Sequence, residues 1–159
     1  MSEPTGGPIV VEGRQDGFLL SLRVSGDTVD AGAPIGIDAI LTWDGPAVRA
    51  TVWASGSGVV SFGLRQLDGD IALGGAMTAD CAVHEFDRLT PVAIPFRKSG
   101  GFSEDDPNAD FYRAFFADPI LRLPTGRWRV SAIASGFLEP CEMTAPKLEI
   151  ALEADVLVR

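Results

Sequence analysis

The C-terminal segment, residues 147–159, constrains the fold more than any other stretch. Leu148, Ile150, Leu152, Ala154, Val156 and Val158 alternate with Glu149, Glu153, Asp155 and Arg159. A period of two belongs to an extended chain whose successive side chains point to opposite faces, so the segment predicts one long strand with one face buried. Ala151 and Leu157 are the apolar exceptions on the polar side. Such a strand needs neighbours to pair with and a second layer to cover its apolar face.

The alternation recurs upstream. Phe18, Leu20, Leu22 and Val24 oppose Ser21, Arg23 and Ser25, and Ile35, Ile37, Ala39, Leu41 and Trp43 share a face until Asp44-Gly45-Pro46 ends the run. Strands are expected near 48–54 and 59–67, paired as a hairpin through Ser55-Gly56-Ser57-Gly58. A short piece follows at 71–73, and another at 92–96 whose Pro91 and Pro95 suit an edge. From Arg127 to Ser135, Trp128, Val130, Ala132 and Ala134 point one way. Residues 76–90 show no clear period. The 18 glycines and 11 prolines supply the frequent breaks that short strands and tight turns require.

One helix is expected near 107–117. Asp106 caps it, Pro107 opens it, and Phe111 with Phe115 and Tyr112 with Phe116 stand four apart. Asp118-Pro119 stops it, because the residue before a proline avoids the helical region. The expected fold is therefore all-β, an antiparallel sandwich of seven to eight strands with one short helix. Residues 17–159 form its single domain, and residues 1–16 are a leader, a linker or an added edge strand around Ile9 to Val11.

Two segments resemble a known family. The run Val29-Asp30-Ala31-Gly32-Ala33-Pro34-Ile35-Gly36-Ile37, followed by Leu41-Thr42-Trp43, is similar to the opening of many bacterial immunoglobulin-like domains of secreted or envelope proteins. Leu123-Pro124-Thr125-Gly126-Arg127-Trp128-Arg129-Val130-Ser131-Ala132 resembles their penultimate strand, with Trp128 where tyrosine is usual, so the hydroxyl of a tyrosine corner has no counterpart. The resemblance implies an immunoglobulin-like sandwich and no particular activity.

Charge narrows the partners. A net charge of -9 disfavours nucleic acid, whose affinity comes from cations displacing counterions, and anionic membrane surfaces likewise. No apolar run approaches the ~20 residues of a spanning helix, and Met1 to Pro8 lacks the basic and apolar regions of a secretory signal. Cys81 and Cys141 are the two cysteines. In an oxidising compartment they pair and close a loop of about 60 residues; otherwise they are two separately buried thiols.

Candidate chemistry is sparse. His84 is the one histidine, and with Cys81 and Glu85 it supplies at best part of a zinc site. No Gly-x-Ser-x-Gly elbow surrounds any serine, and no phosphate-binding glycine motif occurs. Glu104, Asp105, Asp106, Asn108 and Asp110 form the densest set of oxygen ligands, a candidate calcium loop that reads equally as an acidic helix N-terminus. Trp43 and Trp128 fall on apolar strand faces and are expected in the core. Trp53 falls on the face of Arg49 and Thr51, where it is available to a partner. The leading expectation is a non-enzymatic extracellular or envelope-associated module that binds a protein or cell-surface ligand through loops and strand edges. The alternatives are a calcium-dependent binder or secreted hydrolase using the 103–110 loop, and a subunit that assembles by lending its leader strand to a neighbour. Calcium aside, no cofactor is expected.

Overall fold

The structure, a computed structural model, describes residues 6–142 and 144–159; the first five residues of the expected leader lie outside the described residues. Eleven strands and one helix follow in order among the described residues. They are β1 (Ile9–Gln15), β2 (Phe18–Val24), β3 (Thr28–Val29), β4 (Ile37–Trp43), β5 (Arg49–Ala54), β6 (Val60–Gln66), β7 (Ala72–Gly74), β8 (Ala82–Asp87), β9 (Val92–Pro95), α1 (Ala109–Ala117), β10 (Gly126–Phe137) and β11 (Lys147–Val158). Two sheets form an all-β sandwich, one ordered β1-β2-β4-β9 and the other β3-β11-β10-β5-β8, with β6 on β10 and β7 on β6. The strand count exceeds seven to eight because the leader carries β1, because β3 has only 2 residues, and because β8 falls where the sequence shows no clear period. In β8 the inward positions are Ala82, His84 and Phe86, of which only Phe86 is buried, so polarity does not mark the alternation.

β11 realises its sequence pattern residue by residue, with every even position from Leu148 to Val158 buried and every odd one exposed. It pairs along the whole of β10, from Gly126↔Val158 to Phe137↔Lys147. The other edge of β10 is shared. β6 occupies Trp128 to Ala134, and β5 touches the far end where Trp53 pairs with Phe137. β5 and β6 thus run one after the other along β10, and no ladder joins them as a hairpin. The Gly58 N–H donates to Ser55 O at 3.0 Å, so Ser55-Gly56-Ser57-Gly58 offsets the chain sideways without reversing it. β10 outruns β6 by several residues, and β5 fills the remainder before turning outward to pair with β8.

The segment expected as leader or added edge is a seven-residue edge strand of its own sheet. Asp16 and Gly17, with φ of 50° and 83°, make the two-residue turn of left-handed backbone that matches the twist of a hairpin, and β1 returns along β2 from Gln15↔Phe18 to Ile9↔Val24. Gly17 also lies under Trp43, whose Cζ3 would stand 2.5 Å from any Cβ there.

Between the sheets the core is continuous. Phe18, Leu20, Leu22 and Val24 of β2 join Ile37, Ala39 and Leu41 of β4, the even positions of β10 and β11, and Val60, Phe62 and Leu64 of β6. Burying each large apolar side chain contributes about 1.5–3 kcal/mol, which makes this layer the main stabilising term. Trp128 is at its centre with no exposed surface, and its indole N–H donates to Pro124 O at 3.0 Å, a corner contact made without a tyrosine hydroxyl. Trp43 is only half-buried. It caps one end of the sandwich against Phe18, ring centroids 4.9 Å apart, and donates to Ala47 O.

On the outer faces three Arg–Asp pairs sit at directly opposed positions: Arg23 with Asp38, Arg129 with Asp155 and Arg49 with Asp87. The Arg23 and Arg129 guanidinium hydrogen bonds hold the carboxyls of Asp38 and Asp155 below the usual aspartate range. Opposite charges at these positions favour the observed register over a slipped one.

The helix begins at Ala109, two residues later than expected. Asn108 stands at the cap without a side-chain cap bond, while Asp106 accepts the Asn108 N–H at 2.8 Å. Tyr112 and Phe115 face the core, and Tyr112 Oη bonds both the N–H and the carbonyl of Ala72 at 3.3 Å, docking α1 onto β7. Tyr112 and Phe116 both stack on Phe102. Lys98 closes the helix end by donating to the carbonyls of Phe115, Asp118 and Ile120 at 2.5, 2.5 and 2.9 Å, with its ammonium 4.1 Å from the Phe115 ring centroid.

Candidate functional site

Cys81 and Cys141 form a disulfide with Cα atoms 6.3 Å apart. It ties the start of β8 to the β10–β11 loop and anchors a strap of chain, residues 75–81, that runs from β7 to β8 past residues 55–57. At its other end the Gly75 N–H donates to Phe62 O at 2.9 Å, and hydroxyls hold its middle. Ser55 Oγ and Thr78 Oγ1 are 2.7 Å apart, Ser57 Oγ donates to Thr78 Oγ1 at 3.1 Å, and the Thr78 N–H donates to Ser57 Oγ at 3.0 Å. Asp80 Oδ1 accepts from the Thr78 hydroxyl and from the Gly56 N–H. Those two donors, the hydroxyl foremost, hold the Asp80 carboxyl below the usual aspartate range. The offset at 55–58, which reads as a hairpin turn in the sequence, is thus the receptor for the strap.

Two clefts flank the strap and share Met77 as a wall. One, of about 450 Å³, opens between β6 and β9 and is lined chiefly by Phe62, Phe86, Val92, Ile94 and Phe96. Its polar groups serve the scaffold: Arg97 donates to Ser57 O at 3.1 Å, and His84 Nε2 lies 2.8 Å from Ser55 O. A carbonyl only accepts, so Nε2 carries the proton and acts as donor. The second cleft, of about 440 Å³, contains Trp53, Phe137, the disulfide, Asp80, Lys147 and Glu149. Val83, directly across from Trp53, is 59% exposed and extends this apolar surface. Trp43 and Trp128 spend their indole N–H groups on backbone carbonyls, whereas among the described residues the Trp53 N–H has no partner.

The residues singled out in the sequence separate accordingly. Trp53 is half-buried and lines the second cleft. Cys81 is consumed by the disulfide, and His84 and Glu85, consecutive on a strand, point to opposite faces, so they do not assemble around one ion. Of the calcium candidates, Glu104 and Asp110 both turn to Arg113, Asp106 holds the Asn108 backbone, and Asn108 Nδ2 donates to Asp70 at 3.0 Å. Asp105 lies in the same exposed turn, its N–H bonded to Ser103 Oγ. Among the described residues no three His, Cys, Asp or Glu side chains are placed to hold a metal ion. The hydroxyl cluster at the strap lacks the geometry of a nucleophile and its base: the His84 Nε2 proton is committed to a carbonyl, and Thr78 donates to a carboxylate of low basicity.

Met77, Phe137 and Thr78 also line or hold this region. No signal in the chain marks them, because they come together only where the strap crosses. No protein-family profile matches this chain, and no curated protein matches it significantly.

Proposed function

We propose that the protein is a non-enzymatic binding module of an extracellular or cell-envelope compartment, akin to the immunoglobulin-like domains its two motifs resemble, and that it holds a protein partner at the strap and its clefts. The observation that carries this reading is the Trp53 cleft. An aromatic ring with an unpartnered N–H, beside Phe137 and the exposed Val83, is held on a rigid ladder next to a covalent cross-link. Aromatic anchors of this kind dominate the energy of protein interfaces, because they bury much area at little conformational cost. The disulfide supports the compartment, since such bonds persist where thiols are not kept reduced.

Selection from a random-peptide display library tests the reading. Peptides that bind the wild-type chain are expected to weaken at least about tenfold against Trp53→Ala, and to be insensitive to substitution of Glu104 or Asp110. Peptides indifferent to Trp53, or a turnover reaction abolished by His84→Ala, would overturn it.

A further inference from the structure

We propose that two copies of this chain pair antiparallel through the free edge of β1, joining their β1-β2-β4-β9 sheets into one. A two-residue turn makes its flanking pair, Gln15 and Phe18, a hydrogen-bonded one, so Gly13, Val11 and Ile9 also direct their backbone groups at β2. Val10, Glu12 and Arg14 direct theirs away from the molecule, at the end of the sheet, and no proline interrupts residues 9–15.

Two of the other edges, β9 and β8, are defended. The Phe96 N–H donates to Ile37 O, which fixes the parity of β9: Ile94 and Val92 face β4, and the outward positions are Pro91, Ala93 and Pro95. Two prolines leave β9 a single outward donor, which blocks strand addition. In β8 the Arg88 N–H donates to Val48 O, so Val83, Glu85 and Asp87 face outward, an edge with acids and no cation, on which a second copy gains no opposite charge.

β1 is self-complementary. With a two-fold axis at Gly13, Glu12 lies opposite Arg14 of the second copy and Arg14 opposite its Glu12, giving two opposite-charge cross-strand pairs and roughly four backbone hydrogen bonds. Shifting the axis to Glu12 sets the two glutamates against each other, so charge selects the register. Both side chains are exposed and held only by long contacts: Arg14 is 64% exposed and lies 3.4 Å from Asp44, and Glu12 accepts the Ser21 hydroxyl at 3.4 Å. β1 and β9 are opposite ends of one sheet, so the seam leaves the β6–β9 cleft of each copy at the far ends. This pairing stands apart from the function proposed for the Trp53 cleft.

Sedimentation equilibrium of the full chain at physiological ionic strength, from micromolar to millimolar, is the test. The wild type is expected to show a reversible monomer–dimer equilibrium. Glu12→Arg, which sets like charges together twice, should weaken it at least about tenfold, and the double exchange E12R/R14E should restore it to within about threefold. Glu12→Pro removes a donor that points away from β2 and should abolish dimerisation with the melting temperature of the monomer retained. A wild type monomeric throughout, a Glu12→Arg variant that dimerises as well as wild type, or a folded double exchange that fails to recover would overturn the proposal.

Discussion

Replacing both cysteines by serine, C81S/C141S, tests how the strap is held. The bridge spans a sequence separation of 60. In the chain-entropy description a loop of that size restricts the unfolded ensemble by about 4 kcal/mol. The folded state should change little. Both cysteines are exposed, so serine leaves no core cavity, and the segments they join are already fixed by the Ala54↔Ala82 and Phe137↔Lys147 pairs. The hydroxyl cluster of Ser55, Ser57, Thr78 and Asp80 remains to hold the strap. The expectation is therefore a large loss of stability with an unaltered native spectrum. At roughly 2–4 °C per kcal/mol for a chain of this size, the melting temperature should fall by roughly 8–16 °C. Guanidinium denaturation and calorimetry measure the loss, and circular dichroism with tryptophan fluorescence reports the native state. A loss under about 1 kcal/mol would refute the assignment of the bridge as the main constraint on the unfolded chain. A changed tryptophan spectrum before unfolding would refute the claim that the hydroxyls suffice to hold the strap.

Two further outcomes follow from the scaffold. Lys98→Met keeps an apolar stem near Phe115 and removes three charge-assisted bonds to the end of α1, so chemical denaturation should show a loss of about 2 kcal/mol; a loss below about 0.5 kcal/mol would mean those carbonyls are as well served by water. The carboxyls of Asp38, Asp80 and Asp155 titrate below their unfolded values, so their contribution is present above about pH 4 and is lost as pH falls through the lowered folded values. Urea midpoints should be flat from pH 7 to 5 and fall toward pH 3, less steeply in D38N/D155N; an equal slope in that variant would exclude the Arg23 and Arg129 pairs as its source.

Much of the architecture was legible in the chain because one face of each long strand is buried. β2, β4, β10 and β11 display that asymmetry directly, and Asp118-Pro119 marks the end of α1 by local sterics alone. β8 was illegible because a half-exposed strand imposes no polarity period on its residues. The 55–58 offset misled for a related reason: glycine and serine permit a sideways step as readily as a reversal, and only the length of β10 decides between them.

By itself, then, the sequence determined the two-layer β architecture, the placement of one helix and the partition of Trp128 inward and Trp53 outward, since periodicity and backbone sterics act over a few residues. The tertiary structure decided the cysteine pairing, the two clefts that share Met77 and the commitment of the 103–110 acids to Arg113 and local backbone. Those depend on contacts between residues tens of positions apart, which form only when the sheets close and the strap is laid across them, and no local pattern encodes that closure.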